Sequence, residues 1–143
     1  MRTLKILLPA IALSCCAYAG DWFATEIQAP IYPILANQAR IEGTVRLKLL
    51  LDSNGAVSRA DIVSGNPVLA HAAQENILKW RFAAACSSSE SPQPIEFTYE
   101  FKLQGVVDAN PRTSFRYEHP YKARVESQAL HWMPERAPET KAK

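Results

Sequence analysis

The sequence has few cysteines, few glycines and almost no net charge, and each of these excludes a class of protein. The chain has 143 residues and three cysteines, too few for a disulfide framework. Its five glycines exclude a collagen-like repeat. Its formal net charge of +2 provides no basic field that would draw nucleic acid, so no nucleic-acid partner is expected. No apolar run is long enough to span a bilayer.

What the sequence does contain suits one folded domain. Hydrophobic residues make up 48% of the chain and charged residues 21%, a balance that supplies enough apolar material for a core. Chains of this size bury roughly two-thirds of the surface that they expose when unfolded. This length suits one domain better than two.

The N-terminus has the three parts of a secretory signal peptide. Arg2 and Lys5 form a basic region, and an apolar stretch follows them. Ala17 and Ala19 then place small residues at the two positions that signal peptidase reads. We therefore predict export, with cleavage after Ala19.

Two alternatives to this cleavage are a transmembrane anchor and a lipoprotein. The apolar stretch covers only about half of a bilayer core, which disfavours the anchor. Cys16, at the end of a Leu-Ser-Cys-Cys sequence, faintly resembles a lipid-bearing cysteine, although a cysteine directly before it is unusual. Cleavage after Ala19 would leave Cys86 as the one remaining cysteine, which we expect to be a free or buried thiol.

The first half of the mature chain has the pattern of a short helix followed by a β-hairpin. Tyr32-Pro33 precedes apolar residues at helical spacing up to Ile41, and proline suits the first turn of a helix. Residues 44–51 alternate apolar and polar side chains, which is typical of a half-buried strand. The turn sequence Asp52-Ser53-Asn54-Gly55 then predicts a return strand over residues 56–64.

A second helix and an aromatic strand follow the hairpin. Asn66 and Pro67 are typical of a helix start, and the spacing of apolar residues predicts a helix that ends at Lys79-Trp80-Arg81-Phe82. We expect the two aromatic residues at this end to pack in the core. Residues 95–103 alternate apolar with polar or charged side chains, as in an antiparallel strand with one face covered by helices.

These elements predict an α+β fold: a small antiparallel sheet with two helices on one face, followed by a β-rich C-terminal extension. The predicted divisions are a signal peptide over residues 1–19, the domain over 20–105, the extension over 106–133 and a disordered tail over 134–143. Sequential strands pair in about two-thirds of cases. We therefore expect the extension, which includes a candidate edge strand over residues 121–132, to cover part of the edge of the aromatic strand.

Six short stretches, in this order and spacing, resemble the C-terminal domain of TonB-type energy transducers. They are Tyr32-Pro33 and residues 41–45, 52–57, 64–69, 79–82 and 95–103, and they cover about residues 24–105. The resemblance implies the fold of that domain and the role of a periplasmic interaction module. In that family the domain recognises a short extended segment, the TonB box, of an outer-membrane transporter, and so serves energy-coupled transport.

The resemblance also implies where a partner binds. The transporter segment would add a strand to the edge of the strand Ile95–Leu103, with main-chain hydrogen bonds for affinity and alternate side chains for selectivity. The partner-binding candidates are Ile95, Phe97, Tyr99 and Phe101 on this strand, together with Tyr32 and Pro33. The alternative for the last two is that they start a helix and pack in the core. Contact with the membrane would be indirect, and a homodimer is a second candidate assembly.

Two features depart from a complete transducer. The predicted cleavable signal replaces an uncleaved transmembrane helix, and the short lead-in of residues 20–30 replaces a long proline-rich spacer. The alternative function is therefore an orphan structural or assembly module, whose own extension caps the sheet edge and which has no role in energy transduction.

No set of residues points to catalysis, a metal or a cofactor. The candidates are three histidines and one cysteine: His71, His119, His131 and Cys86. None of them has a ligand spacing such as C-x-x-C or H-x-x-x-H. Glu96 and Glu100 share a strand face, but four residues separate them by about 13 Å, too far for a paired acid and base. We therefore expect a protein that is not an enzyme.

Overall fold

The computed structural model describes residues 22–84, 94–107 and 110–131. Their elements, in chain order, are β1 (Trp22–Glu26), α1 (Ile34–Gln38), β2 (Gly43–Leu51), β3 (Val57–Ser64), α2 (Pro67–Ile77), β4 (Arg81–Ala84), β5 (Ile95–Val107), β6 (Thr113–Glu118) and β7 (Lys122–Leu130). The predicted signal peptide, all three cysteines and the predicted tail lie outside the described residues. The α+β class predicted from the sequence is confirmed.

The main sheet has five strands in the order β3-β2-β5-β7-β6. Its pairs are antiparallel except for β5 and β7, which run parallel. The prediction of an antiparallel sheet is therefore wrong for one pair of strands, β5 and β7. The reason is that the second strand of the β6–β7 hairpin, and not the first, lies beside β5. The inner face of β7 carries small residues such as Ala123 and Val125, both fully buried, which lets α1 pack on it.

The hairpin between β2 and β3 forms at the predicted turn. The Asp52 carboxylate accepts hydrogen bonds from the backbone N–H groups of Asn54 and Ala56, at 2.8 and 2.9 Å. Gly55 has φ +77°, and a Cβ there would lie 1.7 Å from the carbonyl oxygen of Phe82. Glycine is therefore required both for the backbone conformation and for the close approach of β4 to this turn.

Helix α2 begins as predicted and ends earlier than predicted. The Asn66 side chain accepts a hydrogen bond from the Val68 N–H at 3.0 Å, which caps the helix in front of Pro67. The last helical residue is Ile77, and Arg81 already begins β4. The predicted helix end at residues 79–82 is therefore wrong, because the chain turns so that Trp80 can enter the core.

The segment before α1 was expected to be an irregular lead-in, but it contains a strand. β1 pairs antiparallel with β4 as a separate two-stranded ribbon. Helix α1 is shorter than predicted, since it ends at Gln38 and Arg40 adopts a left-handed φ of +57°. Of the described residues, no helix is both long and apolar enough to cross a bilayer.

The core lies on one face of the main sheet, beneath α1, α2 and the ribbon. Its centre is Trp80, whose ring lies 5.4 to 6.3 Å from five other aromatic rings. These rings belong to Phe82, Phe97, Tyr99, Phe115 and Tyr117. Trp80 and Phe82 are both buried, so the prediction that they are core residues is confirmed.

Candidate functional site

The edge predicted to receive a partner is already occupied. β5 pairs with β2 on one side and with β7 on the other, where the register runs from Thr98↔Lys122 to Val107↔Leu130. The expectation that the extension covers this edge is confirmed. An open partner edge at the strand Ile95–Leu103 is therefore not present in this structure, because β7 supplies the hydrogen bonds that a partner strand would make.

The side chains of the predicted binding strand face the core. Ile95, Phe97, Tyr99 and Phe101 are all buried, and the three aromatic rings form a continuous row with centroids 5.1 and 6.0 Å apart. They fix the strand in the sheet. The groups of this strand that a partner could use are therefore its backbone groups, and only after β7 has moved.

Tyr32 and Pro33, the other predicted binding residues, lie at the start of α1. The Tyr32 ring is buried edge-on against Phe101, with centroids 5.5 Å apart, and its hydroxyl donates to the Ile41 carbonyl at 2.7 Å. Burial, together with the negative charge of Glu42, raises the pKa of Tyr32 to about 12. Pro33 is half-buried at the N-cap of α1, beside a shallow groove against α2. The structure thus gives Tyr32 a packing role.

A buried amide on α1 fixes β7 in place. The Asn37 side chain is 2% exposed, and its Nδ2 donates to the Gln128 carbonyl at 2.8 Å and to Ser127 Oγ at 3.2 Å. Its Oδ1 accepts the backbone N–H of Leu130 at 2.7 Å. One side chain therefore satisfies backbone groups at two positions of β7, which makes α1 and the C-terminal hairpin a single packed unit.

A second buried amide joins the lead-in to the core. Asn76 Oδ1 accepts hydrogen bonds from the Tyr99 hydroxyl at 2.9 Å and from Trp80 Nε1 at 3.1 Å. Asn76 Nδ2 and Trp80 Nε1 both donate to the Gln28 carbonyl at 3.0 Å. Burial raises the pKa of Tyr99 well above its usual value, so this hydroxyl stays protonated and donates at neutral pH.

The face of the sheet opposite the core is polar and carries a cluster of charges. Glu100 on β5 lies within 2.9 to 3.3 Å of Lys102, Lys122 and Arg124. The hydrogen bond from Lys102 lowers the pKa of Glu100 to about 2, with help from Lys122 and Arg124 and against the opposing effect of burial. Glu118 adds longer contacts to Lys122 and Arg124, at 3.6 and 3.7 Å. The charges therefore link β5, β7 and β6 across the outer face.

The two outer strands of the sheet differ in how they are protected. β3 has register shifts against β2 at two places, and Gln74 Nε2 donates to the Ala60 carbonyl at 2.6 Å. The chain just before β3 also forms a bridge between Ala56 and Arg81. β6 pairs with β7 without a register shift. Within the described residues, the far side of β6 has no strand beside it.

The histidines do not belong to a metal-binding group in the part of the chain that the structure describes. His71 is exposed on α2 and lies 3.3 Å from Glu75, one helical turn away. His119 is in the β6–β7 turn, with its ring 6.4 Å from that of Tyr117. Cys86 lies outside the described residues.

Sequence reasoning missed the residues that control the sheet edges. Asn37 is a polar residue among the apolar residues of the predicted helix, so its pattern suggests a solvent-facing position. In the structure Asn37 is buried, while Ile34 and Leu35 are exposed. The sequence does contain one pattern that predicts a covered strand in the extension. Residues 123, 125, 127 and 129 are all small and alternate with polar ones. That alternation is typical of a strand whose inner face is closely covered.

Comparison with known proteins places most of this architecture in one family. Residues 28–103 match the family model described as the Gram-negative bacterial TonB protein C-terminal. The chain belongs to this family. The matched region includes α1, β2, β3, α2, β4 and most of β5. The β6–β7 hairpin lies beyond it, so the strand that fills the β5 edge is outside the part recognised as TonB C-terminal domain.

One solved structure is also similar to this TonB-family chain. It is the solution NMR structure of the Pseudomonas aeruginosa TonB C-terminal domain, with 24% sequence identity and a TM-score of 0.41. The similarity covers 57% of this chain and 84% of that one. No curated protein matches the chain. TonB C-terminal domains are interaction domains and not catalytic ones.

Proposed function

We propose that this protein is a periplasmic interaction module that binds an extended segment of an outer-membrane transporter, the TonB box, by β-strand addition in energy-coupled transport. The observation that carries the proposal is the match of residues 28–103 to the TonB C-terminal family. The predicted signal peptide, with cleavage after Ala19, supplies the periplasmic location. Strand addition suits a sheet of this kind because main-chain hydrogen bonds give affinity with little demand on the partner's sequence.

Any added strand must compete with β7 or avoid it. β7 is paired with β5 at eight positions, its inner face is buried, and Asn37 holds it through three hydrogen bonds. Each hydrogen bond contributes about 0.5–1.5 kcal/mol net, so displacing β7 costs several kcal/mol before any partner is bound. Binding at β5 is therefore weak unless the partner also gains contacts elsewhere.

The occupied β5 edge favours a second candidate function. A TonB-like domain that caps its own sheet would serve as an orphan assembly module, with no role in energy transduction. The observation in favour of it is that β7 pairs with the β5 backbone groups that a transporter segment would otherwise use, while Asn37 hydrogen-bonds to the backbone of β7 and holds that strand in place. A homodimer through another face would belong to this alternative.

The experiment is a titration of the mature chain, residues 20–143, with peptides from the periplasm-facing N-terminal segments of transporters of the same cell. Binding is followed by amide chemical shifts, and scrambled peptides of equal composition are the control. The proposed function predicts saturable binding by at least one native segment and not by its scrambled form. If no native segment binds better than its scrambled form, the assembly module is the correct alternative.

A further inference from the structure

The outer edge of β6 is the sheet edge that is prepared for another strand. β6 keeps a regular register with β7 from Thr113↔Ser127 to Glu118↔Lys122. Register shifts and side-chain hydrogen bonds to the backbone keep edges from pairing, and β3 has both. Over the described residues, β6 has neither of these devices and no proline.

The hydrogen-bond alternation fixes which groups of β6 point outward. Gln128 N donates to the Arg112 carbonyl at 3.1 Å, and these two residues lie opposite one another in the β6–β7 register. In an antiparallel ladder, hydrogen-bonded and non-hydrogen-bonded pairs alternate along the strands. The odd-numbered residues Thr113, Phe115 and Tyr117 therefore direct their backbone N–H and C=O groups away from β7, where another strand can reach them.

The inner face of this edge requires an apolar partner residue. Phe115 and Tyr117 are half-buried, and their rings lie 5.9 and 5.8 Å from the Trp80 ring. A strand beside β6 would place every second side chain next to these rings, on the same side of the sheet. Apolar side chains there would extend the aromatic layer and cover its remaining exposed surface.

The outer face of the same edge favours an acidic partner residue beside Arg116. Glu118 is within 4 Å of Lys122 and Arg124, and Arg124 also contacts Glu100. Arg116 lies opposite Arg124 in the register, and among the described residues it has no acidic group within ion-pair distance. A second copy added antiparallel through the middle of β6 would bring two Arg116 side chains together. The charge therefore favours an acidic peptide over a second copy of this chain.

We propose that the outer edge of β6, residues 113–118, binds an extended segment that alternates apolar and acidic residues. The proposal rests on the proposed function for its mode of recognition, strand addition, and differs from it in the site. At this site the chain can bind a strand while β7 stays in place, so binding does not require the free energy of displacing β7.

The first test uses two designed peptides and the whole mature chain. An end-capped octapeptide of alternating valine and glutamate is compared with its valine–lysine counterpart. We expect the glutamate peptide to bind more tightly. Arg116→Glu should lower the affinity for the glutamate peptide by about twofold to fivefold, as expected for the loss of an exposed ion pair. It should raise the affinity for the lysine peptide by a similar factor. Lys48→Glu, on the outer face of β2, is the matched charge control and should leave the order of the two peptides unchanged.

The second test locates the bound peptide by amide hydrogen exchange. We expect slower exchange at Thr113, Phe115 and Tyr117 in the complex, with β5 and β7 unchanged. Failure of the glutamate peptide to bind, or equal binding of both peptides, overturns the proposed site. Faster amide exchange in β7 during binding of a transporter segment would show that the segment displaces β7 and binds at β5. The proposed function would then stand, and the β6 site would be wrong. If neither designed nor transporter peptides bind, both proposals fail.

Discussion

At the scale of single residues, Asn37 decides how firmly the C-terminal hairpin is held. Replacing it with alanine would leave the Leu130 N–H without its side-chain partner and the Gln128 carbonyl with only the Ser127 hydroxyl, at 3.3 Å. Leaving buried polar groups unpaired costs about 1–3 kcal/mol, so we expect Asn37→Ala to lower the free energy of unfolding by about that amount. Gln38→Ala, at the next and exposed position of the same helix, is the matched control. Chemical denaturation measures both, and equal effects would contradict the role given to Asn37.

Trp80 is the other residue on which the fold depends. Its truncation would remove contacts to five aromatic rings and the hydrogen bond to the Gln28 carbonyl. Large-to-small changes at such sites cost about 3–5 kcal/mol, and we expect Trp80→Ala to destabilise the domain in this range. Leu78→Ala, at a residue that is 45% exposed, should cost much less. Unchanged melting of Trp80→Ala, with weakened peptide binding, would instead make Trp80 a groove residue.

The residues of the core could be predicted from the sequence, and the residues of the edges could not. Trp80 and Phe82 follow an amphipathic helix, so their burial can be read from spacing alone. Asn37 makes its hydrogen bonds to residues 90 or more positions away. No local pattern encodes such a contact, because it depends on where the topology brings β7.

At the scale of elements, the charge cluster on the outer face ties β5 to β7. The pKa of Glu100 is lowered to about 2 in the folded protein, below the value of about 4.3 for an unfolded chain. The cluster therefore stabilises the fold above about pH 4.3, and this contribution is lost as the pH falls toward 2. Glu100→Gln should flatten the dependence of unfolding free energy on pH between these values.

Glu96→Gln is the matched control for this pH dependence. Glu96 lies on the same strand and face, but its contact is a single exposed pair with Arg46 at 3.8 Å. Such pairs contribute little to stability. Denaturation curves at several pH values below 5 should separate the two variants, and an identical pH dependence would contradict the assigned role of the Glu100 cluster.

The elements themselves followed from local patterns more closely than their pairing did. Alternation located β2 and β5, and the turn sequence located β3, each to within a few residues. It could not show that β7 would be a central strand, since alternation reports which face is buried and not which neighbour lies at each side. β1 was missed because it is short and belongs to a separate ribbon whose partner, β4, is nearly 60 residues away.

At the scale of the whole molecule, a TonB-family core carries an additional hairpin that completes its sheet. Deleting residues 106–143 would remove β6, β7 and the partners of Asn37, and would leave the β5 backbone unpaired on one side. We expect the shortened protein to self-associate through the freed strand, since long apolar edges pair readily. Sedimentation of the two forms measures this. A monomeric shortened protein with unchanged melting would mean that the hairpin does not act as an edge cap.

The most direct test of the occupied edge is amide hydrogen exchange in the mature chain without any partner. Thr98 N donates to the Tyr121 carbonyl at 2.9 Å, so the even-numbered amides of this part of β5 face β7. We predict that the amides of Thr98, Glu100 and Lys102 exchange as slowly as those of the odd-numbered neighbours that face β2, while the outward amides of β6 exchange fast. Fast exchange at Thr98, Glu100 and Lys102, beside slow exchange at Phe97 and Tyr99, would show an open β5 edge in solution and contradict the self-capped sheet.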